Sequence, residues 1–123
     1  MSRPTIEQTM LSIAIVLSLR GTCCKKQVGA VATDKPGNIL STGYNGQPRG
    51  HFHCNLVTPC PAYLDGNLSC QAIHAEMNML MRCPDIDKIH SVYITEAPCA
   101  KCELLIRNTA CKEIIWPEGQ LMI

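Results

Sequence analysis

Two short clusters constrain this chain more than any other feature: His74-Ala75-Glu76, and Pro98-Cys99-Ala100-Lys101-Cys102. Each sits where a helix should begin. Residues 72–82 are helical in character and are closed by Pro84, while Pro98 precedes a second helical stretch over 99–108. Cys99 and Cys102 are three residues apart, so on a helix both thiols share one face of the first turn. A fold that points the two helix N-termini at one another brings the imidazole and both thiols together, and the positive helix ends favour thiolates. One His and two Cys give a tetrahedral zinc three protein ligands and leave the fourth position to water, as in catalytic rather than closed structural sites. Zinc lowers the pKa of such a water from about 15.7 to about 7. Glu76, two residues beyond His74, points off the ligand face and suits the role of proton shuttle. The rival from another class is a non-catalytic zinc-binding interaction module, and it has no use for Glu76. A lone C-x-x-C reads as a buried pair, but here the His, the Glu, the proline and the strand-then-helix contexts agree.

The rest of the chain builds a frame for these clusters. Thr5-Ile6-Glu7-Gln8 has a capping-box pattern, and dense apolar residues follow, so a helix is expected over 5–20 with Gly21 as its stop. Residues 28–33 and 39–44 read as strands joined by the turn cluster Asp34-Lys35-Pro36-Gly37-Asn38, a hairpin. Residues 45–69 form a long loop rich in Gly, Pro, Asn, His and Cys, the kind that is functional or tied down by something. Strands are expected at 91–95 and 113–116, the latter ended by Pro117. Alternating strands and helices imply helices packed on a mixed sheet. The expectation is one domain over 1–123.

Composition narrows the partners. The formal net charge is +1, so there is no broad basic footprint for nucleic acid, although a small anionic substrate needs only a few local cations. The apolar run 10–19 is too short to span a bilayer and lacks a small-residue cleavage site after it. Nine cysteines, an odd number, fit metal binding in a reducing compartment better than a disulfide scaffold, which points to a cytoplasmic location. No membrane partner and no nucleic-acid partner are expected.

H-x-E with a later P-C-x-x-C is the known signature of zinc nucleobase deaminases. Four segments carry a closer resemblance: 23–31, which includes Gln27-Val28-Gly29-Ala30-Val31; 41–50, which includes Thr42-Gly43-Tyr44-Asn45-Gly46; His74-Ala75-Glu76-Met77-Asn78; and Tyr93-Ile94-Thr95 through Cys102. On these the chain resembles the cytidine and deoxycytidylate deaminase superfamily, in particular its phage and bacterial deoxycytidylate branch with an extra zinc. The resemblance implies a three-layer α/β/α sandwich around a mixed four- to five-stranded sheet. It implies hydrolysis of dCMP to dUMP and ammonia, feeding dTMP synthesis. It also implies that Asn45 contacts the sugar and that the Ala75 backbone helps hold the pyrimidine. A homo-oligomer, commonly a hexamer, is implied too, as is control by dCTP and dTTP, with Mg2+, at Tyr44, Asn45 and Gly46. Alternative substrates within the class are dCTP and other cytosine nucleosides or nucleotides. For the phosphate, Lys25, Lys26 and Arg49 lie in loops flanking the motifs, and Lys26 and Arg49 are the candidates retained.

In the resembled enzymes, cysteines matching Cys23 and Cys54 help bind a second, structural zinc. Cys60 and Cys70 look like the other two ligands, with His53 as the main competitor and Cys24 and His51 behind it. A closed four-thiolate site would tie down a loop too poor in apolar residues to order itself. Cys83 and Cys111 read as buried small hydrophobes. The chain departs from the family pattern after Trp116, where family members usually continue with another helix or strand. Leu121-Met122-Ile123 is expected either to pack on a neighbouring subunit or to fray.

Overall fold

The computed structural model describes residues 2–23, 25–51 and 71–123. Helix α1 (Ile6–Ser18) starts at the expected capping box: Gln8 N–H donates to Thr5 Oγ1 at 3.0 Å, and Thr5 N–H donates to Gln8 Oε1 at 2.9 Å. It is shorter than expected and unwinds through bonds from Arg20 N–H to Leu17 O and from Gly21 N–H to Ser18 O. Gly21 is required for a reason the sequence hides. A Cβ there would collide with the side-chain oxygen of Asn45, so the residue permits a close approach rather than a left-handed turn.

Strands β1 (Gly29–Thr33) and β2 (Ile39–Tyr44) form the expected hairpin, with Gly29 opposite Tyr44 and a register shift between Ala32 and Thr33. In its turn, Asp34 Oδ1 accepts from Gly37 N–H and Asn38 N–H at 3.0 and 2.7 Å, and Gly37 adopts a φ of 100°. Then follow α2 (Ala75–Arg82), a 3-10 turn (Ile86–Lys88), β3 (Ser91–Ile94), α3 (Ala100–Arg107), β4 (Glu113–Trp116) and β5 (Gly119–Met122).

The sheet runs β2-β1-β3-β4-β5. Only β3 and β4 are parallel, joined by α3 as a crossover; the other neighbours are antiparallel. Alternation of side chains assigns the two faces. Ala30, Ala32, Val92, Ile94 and Ile114 pack with Met79 of α2 and Ile106 of α3, whereas Val31, Tyr93 and Ile115 pack with Ala14 of α1. The result is the three-layer sandwich, with β1 and β3 buried throughout because both of their faces are covered. Two glycines set how closely the helices approach. A Cβ on Gly29 would meet Ala14 O and Ser18 N of α1, and one on Gly43 would meet Ala75 O and Met79 N of α2.

The C-terminal residues correct one expectation. The fraying expected as one alternative does not occur: Gly119–Met122 pairs with β4, placing Trp116 opposite Gly119 and Glu113 opposite Met122. Pro117 ends β4 as expected, and it is also the first central residue of a two-residue turn with Gly119 after it, a placement that suits both residues. Among the described residues the sheet therefore has five strands.

Candidate active site

The site is built from the ends of two helices. His74 is the N-cap of α2, in extended backbone (φ −66°, ψ 151°), and Cys99 is the N-cap of α3 in nearly the same conformation (φ −69°, ψ 163°). His74 Nδ1 lies 3.6 Å from Cys99 Sγ and 3.3 Å from Cys102 Sγ. The three ligand atoms all fall within 4.8 Å of one another. Cys102 is buried, while His74 and Cys99 face outward, so the cluster is closed from below and open from above. One imidazole nitrogen and two thiol sulfurs at this separation are the donor set of a zinc ion with an open coordination position.

Glu76, in the first turn of α2, is only 4 % exposed, which is unusual for a carboxylate that has no ion-pair partner at contact distance among the described residues. Burial pushes its carboxyl above the ordinary carboxylate range; its backbone hydrogen bonding and the neighbouring His74 and Cys102 pull the other way. Burial also pushes the Cys102 thiol well above its ordinary value, helped by the charge of Glu76. Two thiolates and a carboxylate this close together would need a cation to offset their charge, and a zinc ion held by His74, Cys99 and Cys102 would supply it.

The segment after β2 braces the site. Gly46 N–H donates to Ile73 O at 3.1 Å, and Ile73 N–H donates to Gly46 O at 2.7 Å, so the residue before His74 is stitched to the end of the hairpin. Asn78 Nδ2 donates to Tyr44 O at 2.9 Å, tying α2 to β2. Asn45 is buried; its Oδ1 accepts from Val28 N–H at 2.8 Å and its Nδ2 donates to Lys26 O at 2.9 Å. One amide hydrogen of Asn45 is left over from these bonds. Tyr44 stacks against the Arg20 guanidinium, 5.6 Å from ring centroid to Arg20 Cζ. Ala75 is fully buried in the first turn of α2.

A family profile described as the cytidine and deoxycytidylate deaminase zinc-binding region matches residues 4–118. The chain belongs to the cytidine and deoxycytidylate deaminase family. It is 34% identical over 130 aligned residues to the deoxycytidylate deaminase of Mycobacterium phage D29, covering 96% of this chain and 98% of that protein. It is 29% identical to the deoxycytidylate deaminase of Saccharomyces cerevisiae, covering 98% of this chain but only 40% of the yeast protein. Among solved structures it resembles the dCMP deaminase of cyanophage S-TIM5 in complex with dCMP and dUMP, with a TM-score of 0.72, 29% identity, and coverage of 93% of this chain and 82% of that one. The matched region is described as zinc-binding, and the His74, Cys99 and Cys102 cluster within it is a donor set that could hold such an ion.

Of the remaining residues singled out in the sequence, Lys26 forms an ion pair. Its Nζ is 2.9 Å from Glu96 Oε1, in the loop that leads to Cys99. Sequence reasoning missed Glu96, because nothing short of the fold brings residues 26 and 96 together. It also missed Ile73 as the brace of His74; a strand-like residue immediately before a helix was the available sign. Arg49 is exposed. Cys23 is half-buried. Cys24, His53, Cys54, Cys60 and Cys70 lie outside the described residues. His51 Nδ1 and Gln71 Oε1, which flank residues 52–70, are 3.1 Å apart. Cys111 is buried in the core as expected, with its thiol donating to Glu113 O at 3.1 Å, and Cys83 caps the C-terminus of α2 at the edge of the same core. No helix among the described residues is long and apolar enough to cross a membrane.

Proposed function

We propose that this chain deaminates dCMP by hydrolysis, giving dUMP and ammonia. The observation that carries the reading is the meeting of His74, Cys99 and Cys102 beside the buried carboxylate of Glu76. Zinc held by these three ligands supplies the Lewis acidity that lets water ionise near neutral pH. Glu76 takes the proton from the attacking water and delivers protons to the ring nitrogen and to the departing amine. The C4–N bond breaks, and the oxygen from water becomes the new carbonyl. Burial gives Glu76 a carboxyl basic enough to accept that proton and hand it on. The rigid start of α2 keeps Glu76 and the Ala75 backbone at fixed positions beside the pyrimidine.

The same reading gives Asn45 the sugar, through its remaining amide hydrogen, and gives Lys26 and Arg49 the phosphate. Tyr44, Asn45 and Gly46 take a regulatory dCTP or dTTP with Mg2+; their position as a brace for His74 supports a route from effector to metal site. A second zinc is held by Cys23 with Cys54, Cys60 and Cys70, or with His53 in place of one thiolate. The exposed apolar side chains of α1 and its C-cap (Ile15, Val16 and Leu19) support a homo-oligomer, with a hexamer favoured, in a reducing cytoplasm.

The test is loss of ultraviolet absorbance with dCMP, dCTP, dCDP, deoxycytidine and cytidine in parallel, with zinc per chain measured on the same sample. The expected result is fastest turnover of dCMP and about two zincs per chain, one for each tetrahedral site. Turnover of dCTP alone moves the substrate, one zinc per chain removes the second site, and no turnover with zinc present contradicts the enzyme.

A further inference from the structure

Lys26 is a cation whose backbone is fixed and whose partner is not the substrate. Its carbonyl accepts from the buried Asn45 amide at 2.9 Å, and Val28 N–H donates to the other end of that amide at 2.8 Å. Its side chain, 66% exposed, reaches the Glu96 carboxylate at 2.9 Å. Glu96 is itself held near the metal site, because Thr95 N–H donates to Gly29 O at 3.1 Å and Thr95 Oγ1 accepts from Gly29 N–H at 3.2 Å, with Cys99 only three residues further on. Gly46, next to Asn45, pairs with Ile73 just before His74, and Glu96 lies three residues before Cys99, so the pair joins the chain segments that lead into both ligand-bearing helix starts.

From this geometry we infer that Glu96 is a specificity-determining positioning residue: it parks the Lys26 ammonium, and a nucleotide's phosphate must take Lys26 from it. The inference rests on the proposed reading of the site as one for a cytosine nucleotide. Its physical content is a competition between two anions for one cation. Glu96 holds Lys26 oriented, but its carboxylate also repels a phosphate brought to the same ammonium. An exposed pair of this kind is weak, so the exchange costs little and still biases the site. Glu96 therefore lowers affinity for phosphate-bearing ligands relative to nucleosides, and makes that discrimination depend on Lys26.

Binding of dUMP and of deoxyuridine to the zinc-loaded protein, measured by calorimetry, tests this without requiring turnover. The readout is the ratio of the two affinities. Glu96→Gln should raise the dUMP preference by about two- to fivefold, the range expected for an exposed ion pair. Lys26→Gln should lower it about tenfold, the scale of a single charge-assisted contact with phosphate, and Lys26→Arg should restore most of it. In the Lys26→Gln background, Glu96→Gln should leave the ratio nearly where it was. A Glu96→Gln effect of equal size with and without Lys26, or one that moves both ligands alike, overturns the inference. So does a failure of the wild-type protein to prefer dUMP. Absence of dCMP turnover with the ratios as expected would instead count against the deaminase reading alone.

Discussion

Helix α1 and the pair α2 and α3 begin in opposite ways. At α1, Thr5 and Gln8 exchange side-chain and backbone hydrogen bonds in a full capping box. At α2 the N-cap is His74, which makes no capping bond with its side chain, and at α3 it is Cys99, whose sulfur accepts a long 3.4 Å bond from Cys102 N–H. Neither residue is a good N-cap, and Ser, Thr, Asp or Asn in those places would stabilise a helix start by about 1 kcal/mol. All three N-caps have extended backbone, so the difference lies in the side chain. The helix whose start only has to be stable uses a capping residue, while the two whose starts meet at the site use that position for a metal ligand. The deaminase cluster is thus bought with local helix stability, which bound zinc restores.

The widest separation between these regions should appear at Glu76, which lies in α2 but is no metal ligand. Glu76→Gln should lower kcat by about 10²- to 10⁴-fold, the usual contribution of a positioned general acid–base, while zinc per chain stays the same. Loss of zinc in that variant would break the division between ligand and shuttle.

A pH series sharpens the contrast next. The Cys102 thiol is pushed well above its ordinary value in the metal-free protein, so it carries its proton at neutral pH and must release it to bind zinc. Zinc affinity should therefore rise with pH between 6 and 8, by about tenfold per pH unit for each proton released, as calorimetry in buffers of different ionisation enthalpy would show. The sign for stability is opposite. A raised folded-state pKa at Glu76 stabilises the metal-free protein below the ordinary carboxylate value, and this contribution fades as pH rises through the folded-state value. A zinc affinity independent of pH would mean that the thiols are already ionised.

Glycines on the two faces of the sheet give a smaller effect. Gly43→Ala and Gly29→Ala each force a helix away from the sheet, and each should cost about 1–3 kcal/mol in denaturant unfolding. Gly43 faces Ala75 O and Met79 N, so its substitution should also lower kcat more than that of Gly29, which faces α1. Equal losses of activity would show that the site depends on the sheet as a whole. The smallest change is Thr5→Ala, which should cost about 1 kcal/mol of stability and leave zinc content untouched.

Much of this was legible in the residues. The capping box, the Asp34–Asn38 turn, both hairpin strands and the two ligand-bearing helix starts follow local rules, and local rules survive folding. Spacing alone also put Cys99 and Cys102 on one face. What stayed hidden depends on residues far apart in the chain. Nothing local ties Lys26 to Glu96 or Ile73 to Gly46, and nothing near Gly21 says that the Asn45 amide will occupy its Cβ position. Strand β5 was hidden for a different reason: Pro117 signals the end of β4 and also suits a tight turn, but nothing local says that the chain then returns along β4.

The exchange of capping for metal binding can be measured most directly at His74. His74→Ser supplies the missing cap in a backbone that already suits it. In metal-free protein the unfolding free energy should rise, by about 0.5–2 kcal/mol, while bound catalytic zinc and dCMP turnover are lost. A variant that is less stable without metal, or that keeps its catalytic zinc and its activity, would contradict the assignment of these helix starts to the metal.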